Sequence, residues 1–257
     1  MLSPLFRVTK PLRMLLLAGA AAATISACAS TRTNAPAPDY AALPTAQAQQ
    51  GLVELTARYR ANPRDKATII HYAAALRAAG QSGQAVAALE QGISHYPNDP
   101  DIAIAYAKAL TADGRFEQSL SVLDRVIRPD APDWNALLVK GAALDQLGRN
   151  QEARQVYGQA LAMAPGEASI EANLGLSYAM TNELALAERH LRRAAQMPGT
   201  TTKIRQNLAL IVGLQGRFDE ARTLYAAELP PDQVESNMAY VRSMLSQQNR
   251  WDAIAKS

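Results

Sequence analysis

The segment GAALDQLGRNQEARQVYGQALAMAP, residues 141–165, holds two amphipathic stretches parted by Gly148 and closed by Pro165. Glycine can enter the left-handed conformation that stops one helix and turns the chain into the next. Moving outward from this segment, the same features recur at one fixed interval, the spacing from Gly114 to Gly148. Gly80, Gly114, Gly148 and Gly216 fall on one series, and Asn182 fills its gap, asparagine being the best substitute in that conformation. A second series runs Ala85, Ser119, Ala153, Ala187 and Ala221, where a small residue lets the second helix cross the first closely. Pro63, Pro97 and Pro165 form a third, ending each second helix and redirecting the chain. Three series with one period and fixed offsets predict a stack of helix pairs.

The pattern resembles the tetratricopeptide repeat, whose period is about 34 residues. The third repeat carries its small, glycine, alanine, aromatic and proline positions as Gly141, Gly148, Ala153, Tyr157, Ala160 and Pro165. The fourth supplies Asn173, Leu174, Gly175, Tyr178, Ala187 and Ala194, and the fifth Asn207, Leu208, Ala209, Gly216, Phe218, Ala221 and Tyr225. Repeats one (about 66–99) and two (about 100–133) are looser, and Pro129 with Pro132 makes the second junction irregular. The expected fold is all-α, a right-handed α-solenoid of about five full repeats with partial terminal ones. Residues 45–63 read as a lone second helix, with Gly51 and Leu55 in the expected slots. Residues 232–257 read as one more helix and the start of another, both ends serving as caps.

The 257 residues are 48% hydrophobic and 19% charged, with few aromatics, which suits close helix packing. One cysteine excludes a disulfide framework and a cysteine-rich zinc site. The basic balance comes from the leader: Arg7, Lys10 and Arg13 are unmatched by any acid in residues 1–27. Without them, 23 basic residues meet 23 acidic ones, and a neutral body offers no footprint for nucleic acid.

Those three cations, the apolar run Met14–Ala23 and the small Ser26 and Ala27 have the layout of a secretory signal peptide. Ile25-Ser26-Ala27-Cys28 resembles a bacterial lipobox. The resemblance implies cleavage before Cys28, lipidation of its thiol, and, with Ala29 following, retention at the outer membrane on its periplasmic face. Burial of each CH₂ contributes ~0.8 kcal/mol, so two or three acyl chains anchor stably where one does not. The Ala-, Pro-, Thr- and Ser-rich stretch after the cysteine reads as a tether spanning roughly 40–50 Å. The expected organisation is a signal peptide (1–27), a lipidated cysteine and tether (28–44), and the repeat solenoid (45–257).

Catalytic patterns are wanting. Gly175-Leu176-Ser177-Tyr178-Ala179 lies inside a first helix, without the strand that a nucleophile elbow requires. His190 lacks an H-E-x-x-H partner and reads as a solvated or helix-face residue, and Arg189, Arg192 and Arg193 as a charged outer face. No phosphate-binding glycine motif occurs, so neither enzyme activity, cofactor nor metal is expected. First helices should line the concave side. In repeats one to three the lining is mixed: Ile70, Arg77, Lys108, Asp145 and Gln146. In repeats four and five it turns apolar: Ala172, Leu176, Ala179, Met180, Lys203, Leu210 and Leu214. Such a groove suits an amphipathic helix or apolar peptide, unless the terminal helices fold back into it.

QNLALIVGLQGRFDEAR (206–222) and AELPPDQVESNMAYVRSML (227–245) resemble the TadD-like lipoproteins of the tight-adherence (Flp pilus) assembly system. That resemblance implies a non-enzymatic scaffold or pilotin at the outer membrane. Its partner would be a secretin or another pilus-assembly component, with the lipid on Cys28 holding the membrane. The alternative within the same class is a scaffold or chaperone for another outer-membrane assembly or a polysaccharide export machine.

Overall fold

The computed structural model describes residue 40 and residues 45–255. The proposed leader, Cys28 and nearly all of the tether lie outside the described residues. Twelve helices follow one another among the described residues: α1 (Thr45–Ala61), α2 (Lys66–Ala78), α3 (Ser82–His95), α4 (Pro100–Ala112), α5 (Phe116–Val126), α6 (Trp134–Gln146), α7 (Asn150–Met163), α8 (Ala168–Met180), α9 (Leu184–Gln196), α10 (Thr202–Leu214), α11 (Phe218–Ala226) and α12 (Pro231–Ala255). The five first helices, α2, α4, α6, α8 and α10, are equal in length and begin at the interval of the glycine series. The second helices α3, α5, α7, α9 and α11 begin with the same spacing.

Local chemistry sets these boundaries. Gly80, Gly114, Gly148, Asn182 and Gly216 all have positive φ, between 60° and 81°. The amide after each donates to the carbonyl five residues back, as Gln81 does to Leu76 at 2.8 Å and Arg149 to Leu144 at 2.9 Å. That bond satisfies a carbonyl which the helix end would otherwise orphan. First helices are opened by a further periodic series, Asp65, Asp99 and Asp133, whose carboxylates accept from the first-turn amides. Thr201 does the same for α10. Such caps contribute about 1 kcal/mol each.

Within a repeat the two helices touch at small residues. Ala85, Ser119, Ala153, Ala187 and Ala221 are fully buried. Ser119 keeps its hydroxyl satisfied by donating to Ala107 O at 2.9 Å. Three apolar clusters then run along the stack. One centres on Ile69, Leu89, Ile102 and Leu110, the next on Leu144, Tyr157 and Ile170, the last on Leu191, Ile211, Val212 and Met238. Neighbouring first helices pack on one another throughout, whereas second helices pack chiefly on first helices. The first helices are the closer-set row and line the inner face.

The ends behave differently. α1 docks on α2 as a second helix without a first, with Tyr59 stacked on Tyr72 at 4.8 Å. At the second junction the chain makes an isolated antiparallel bridge, Arg128 to Ala131, between the two prolines' neighbourhoods. α12 packs on α10 and α11 as a sixth first helix, burying Val234, Met238 and Val241. It runs unbroken to Ala255, so the expected start of another helix does not form. The left-handed series extended by one period falls on Arg250, and no glycine or proline stands between Asp232 and Ala255 to stop the helix. None of the described helices is long and apolar enough to cross a membrane.

The helix contact in repeat three is tested at Gly141. A Cβ there would lie 2.7 Å from Cδ1 and Cζ of the fully buried Tyr157 ring. Alanine would gain about 1 kcal/mol of helix propensity. Overpacking against that ring outweighs it, so thermal unfolding of Gly141→Ala should show a net loss of about 1–3 kcal/mol. A more stable variant would contradict the packing described.

Candidate partner-binding face

On the inner face the N-terminal half is polar and partly charged. Ile70 and Arg77 are half-buried on α2, and Gln146 is exposed at the end of α6. Lys108 of α4 is half-buried, with Arg77 on one side and Asp133 on the other. Burial pushes its ammonium down to about 8, Arg77 adds to the effect, and Asp133 opposes it. Asp145, expected in the lining, is only 5% exposed. Its carboxylate accepts from Ser177 Oγ at 2.7 Å, Asn150 Nδ2 at 2.8 Å and Tyr157 Oη at 3.0 Å. Asp145 therefore joins repeats three and four and is withdrawn from the groove. Burial, with Asp145 beside it, raises the Tyr157 hydroxyl well above its ordinary pKa.

The C-terminal half is apolar. Leu176, Ala179, Leu210 and Leu214 are partly exposed, Met180 is 52% exposed, and Lys203 stands exposed at the start of α10. Ala172 does not join them: at 4% exposure it packs into the C-terminal core, because the gap between α8 and its neighbours closes over it. The main packing partners of α8 are α6, α7, α9 and α10, and α12 lengthens the stack beyond α10.

Ser177 is buried, its hydroxyl donated to Asp145 and its carbonyl held by Arg154 at 3.0 Å. His190, read from the sequence as a solvated or helix-face residue, is likewise buried, on the face of α9 that meets α8. Its Nδ1–H donates to Glu171 Oε2 at 2.7 Å, its ring stacks on Tyr178 at 5.2 Å, and Arg193 lies 3.2 Å from the same Glu171 oxygen. The signal for this trio is in the sequence: Glu171 interrupts an apolar series of the repeat period, Ile69, Ala103, Leu137. Among the described residues no cluster of His, Cys, Asp or Glu could hold a metal ion. A crevice of about 220 Å³ between α5, α6 and α7 is lined by Asp124, Lys140, Arg149 and Glu152, whose charges pair as Lys140–Asp124 and Arg149–Glu152.

The arginines of α9 are largely neutralised. Arg192 pairs with Glu188 and Glu220, while Arg217 pairs with Glu188 across the repeat boundary, and Arg189 remains exposed. Burial would raise Glu188, but bonds from Arg217, Gln215 and Arg192 prevail and hold it at about 2.

Two profiles described as tetratricopeptide repeat match residues 76–140 and 138–199. A thermophilic tetratricopeptide-repeat protein of Thermus thermophilus is similar at 22% identity over 76% of this chain and 98% of its own, with a TM-score of 0.58. A tetratricopeptide-repeat protein of Parabacteroides merdae reaches a TM-score of 0.65 at 10% identity, over 77% of this chain and 78% of its own. No curated protein matches by sequence. Residues 76–199 thus match tetratricopeptide repeats, and the described chain has the all-α solenoid fold that such repeats build. Such repeats serve as protein-binding scaffolds and are generally non-enzymatic.

The Glu188 network makes a pH-dependent contribution of definite sign. Its folded pKa lies below that of the unfolded chain, so its stabilisation is complete above about pH 4.5 and is lost as pH falls toward 2. Glu188→Gln should lower stability at pH 7 by about 1–2 kcal/mol. It should also flatten the acid limb of the stability profile, measured by urea unfolding from pH 2 to 7. An unchanged limb would show that the network contributes nothing.

Proposed function

We propose that this chain is an outer-membrane lipoprotein that acts as a scaffold or pilotin in tight-adherence pilus assembly, gripping a partner in its inner groove. The observation that carries the reading is the run of partly exposed apolar side chains on α8 and α10: Leu176, Met180, Leu210 and Leu214. Apolar surface left open along a curved helical face fits a helix or tail laid into it. The segments that resemble TadD-like lipoproteins cover most of α10, part of α11 and much of α12, so they include the α10 share of the groove, Leu210 and Leu214. In this reading acyl chains on Cys28 fix the protein to the membrane, and the tether lets the solenoid meet a secretin or another assembly component.

Two tests separate the anchor from the groove. Cys28→Ser should move the chain from the membrane to the soluble periplasmic fraction; retention in the membrane would reject lipid anchoring. Crosslinking pulldown from envelope membranes should recover a pilus-assembly component with the wild-type chain and lose it with folded Leu176→Glu/Leu210→Glu. Identical partners from both proteins would move the function to another surface.

A further inference from the structure

We infer that the occupant of the inner groove is an acidic amphipathic segment of a partner protein, its carboxylates on Lys108 and its apolar side chains on Leu176, Leu210 and Leu214. The inference rests on the partner-binding reading above and specifies the partner's chemistry.

Lys108 belongs to the inner face because it feels the charges of Arg77 on α2 and of Asp133, the N-cap of α6, the first helices on either side of α4. It is half-buried, yet its ammonium makes no hydrogen bond or ion pair with any described residue. An ammonium partly withdrawn from water with no acceptor beside it is disfavoured, and its lowered pKa expresses that cost. The neighbouring carboxylates are engaged elsewhere. Asp101 accepts from Lys66 Nζ at 2.9 Å, and Asp133 caps α6 by accepting from the amides of Asn135 and Ala136. Asp145 already accepts three hydrogen bonds, and Glu171 serves His190 and Arg193. Lys203 puts a second cation on the same face.

A face that combines cations with an apolar strip discriminates among partners. A basic segment would set like charges together at a half-buried position, and a wholly apolar one would cover Lys108 without a counter-ion. An acidic segment supplies the acceptor that the chain lacks. The scale also agrees. First helices set roughly 10 Å apart place α4 and α10 about 30 Å apart. That is the length of a helix of about 20 residues.

The experiment uses the full chain and two labelled synthetic helices of roughly 20 residues. They share one leucine face and differ only in a Glu-rich or Lys-rich polar face, and binding is followed by fluorescence anisotropy. The Glu-rich peptide should bind about tenfold tighter at low salt, with a preference that shrinks as salt is added. Lys108→Gln should reduce that preference at least about threefold, Lys108→Arg should keep it, and matched melting curves show that both variants are folded. Equal binding of the two peptides, or a preference that Lys108→Gln leaves intact, overturns the acidic assignment. In that case loss of both peptides by Leu176→Glu/Leu210→Glu still upholds the groove. Absence of binding by either peptide, or binding indifferent to the double substitution, overturns the groove reading as well.

Discussion

The closeness of two helix backbones within each repeat governs the rest of the molecule. At Gly175 an added Cβ would lie 2.9 Å from Leu191 Cγ and 3.0 Å from the Ala187 carbonyl oxygen. The first helix meets the second across such residues, and the alanines and Ser119 of the second supply the matching hollow. Once that side of a first helix is committed inward to its own pair, its flanks are committed to the neighbouring repeats. Only one strip remains to face the groove. The open strip is thus a geometric consequence of where the small residues sit, and the large residues placed one turn along, Tyr157 and Leu191, fill the space that the small ones leave.

This explains what the sequence discloses and what it withholds. Glycine, asparagine and alanine are demanded by local backbone geometry, so their period is visible and the helices obey it. The capping series Asp65, Asp99 and Asp133 is equally periodic. Aspartate is common in loops, however, and its role becomes plain only when the carboxylate is seen on the first-turn amides. Periodicity also locates a face without giving its depth. Asp145 and Ala179 occupy equivalent places one period apart, but Ser177 opposite Asp145 draws the carboxylate into a buried bond, while Ala179 remains half-open. His190 is hidden for the same reason. Its partner Glu171 is on another helix, and which residues meet depends on how α8 and α9 cross.

In a solenoid each repeat is held mainly by its neighbours, so the character of each interface fixes local geometry. The first interfaces are mainly apolar, with Lys66 bound to Asp99 and Asp101 at their edge. Between repeats three and four a polar chain takes over: Asn150 to Asp145, Asp145 to Ser177, Ser177 to Arg154, with Arg154 lying 4.1 Å over Tyr178 and Tyr178 stacked on His190. Apolar contacts tolerate small shifts of register, whereas each of these bonds weakens steeply once its distance or angle is changed. Removing one of the neutral donors to the buried Asp145 carboxylate costs about 1.5–3 kcal/mol, the worth of a hydrogen bond to a charged group.

That chain bears directly on the groove. Leu176 stands beside Ser177 on α8, and Met180 lies two residues past Tyr178. The bonds that fix Ser177 and Tyr178 therefore fix the direction of the apolar strip at the point where the lining changes from polar to hydrophobic. In the proposed reading, a partner helix meeting that strip would find it already ordered, and less of the binding free energy would be consumed in arranging side chains. The polar bolts Ser177 and Tyr178 and the partly exposed Leu176 and Met180 are two sides of one helix, α8. Holding the first firmly is what fixes the direction of the second.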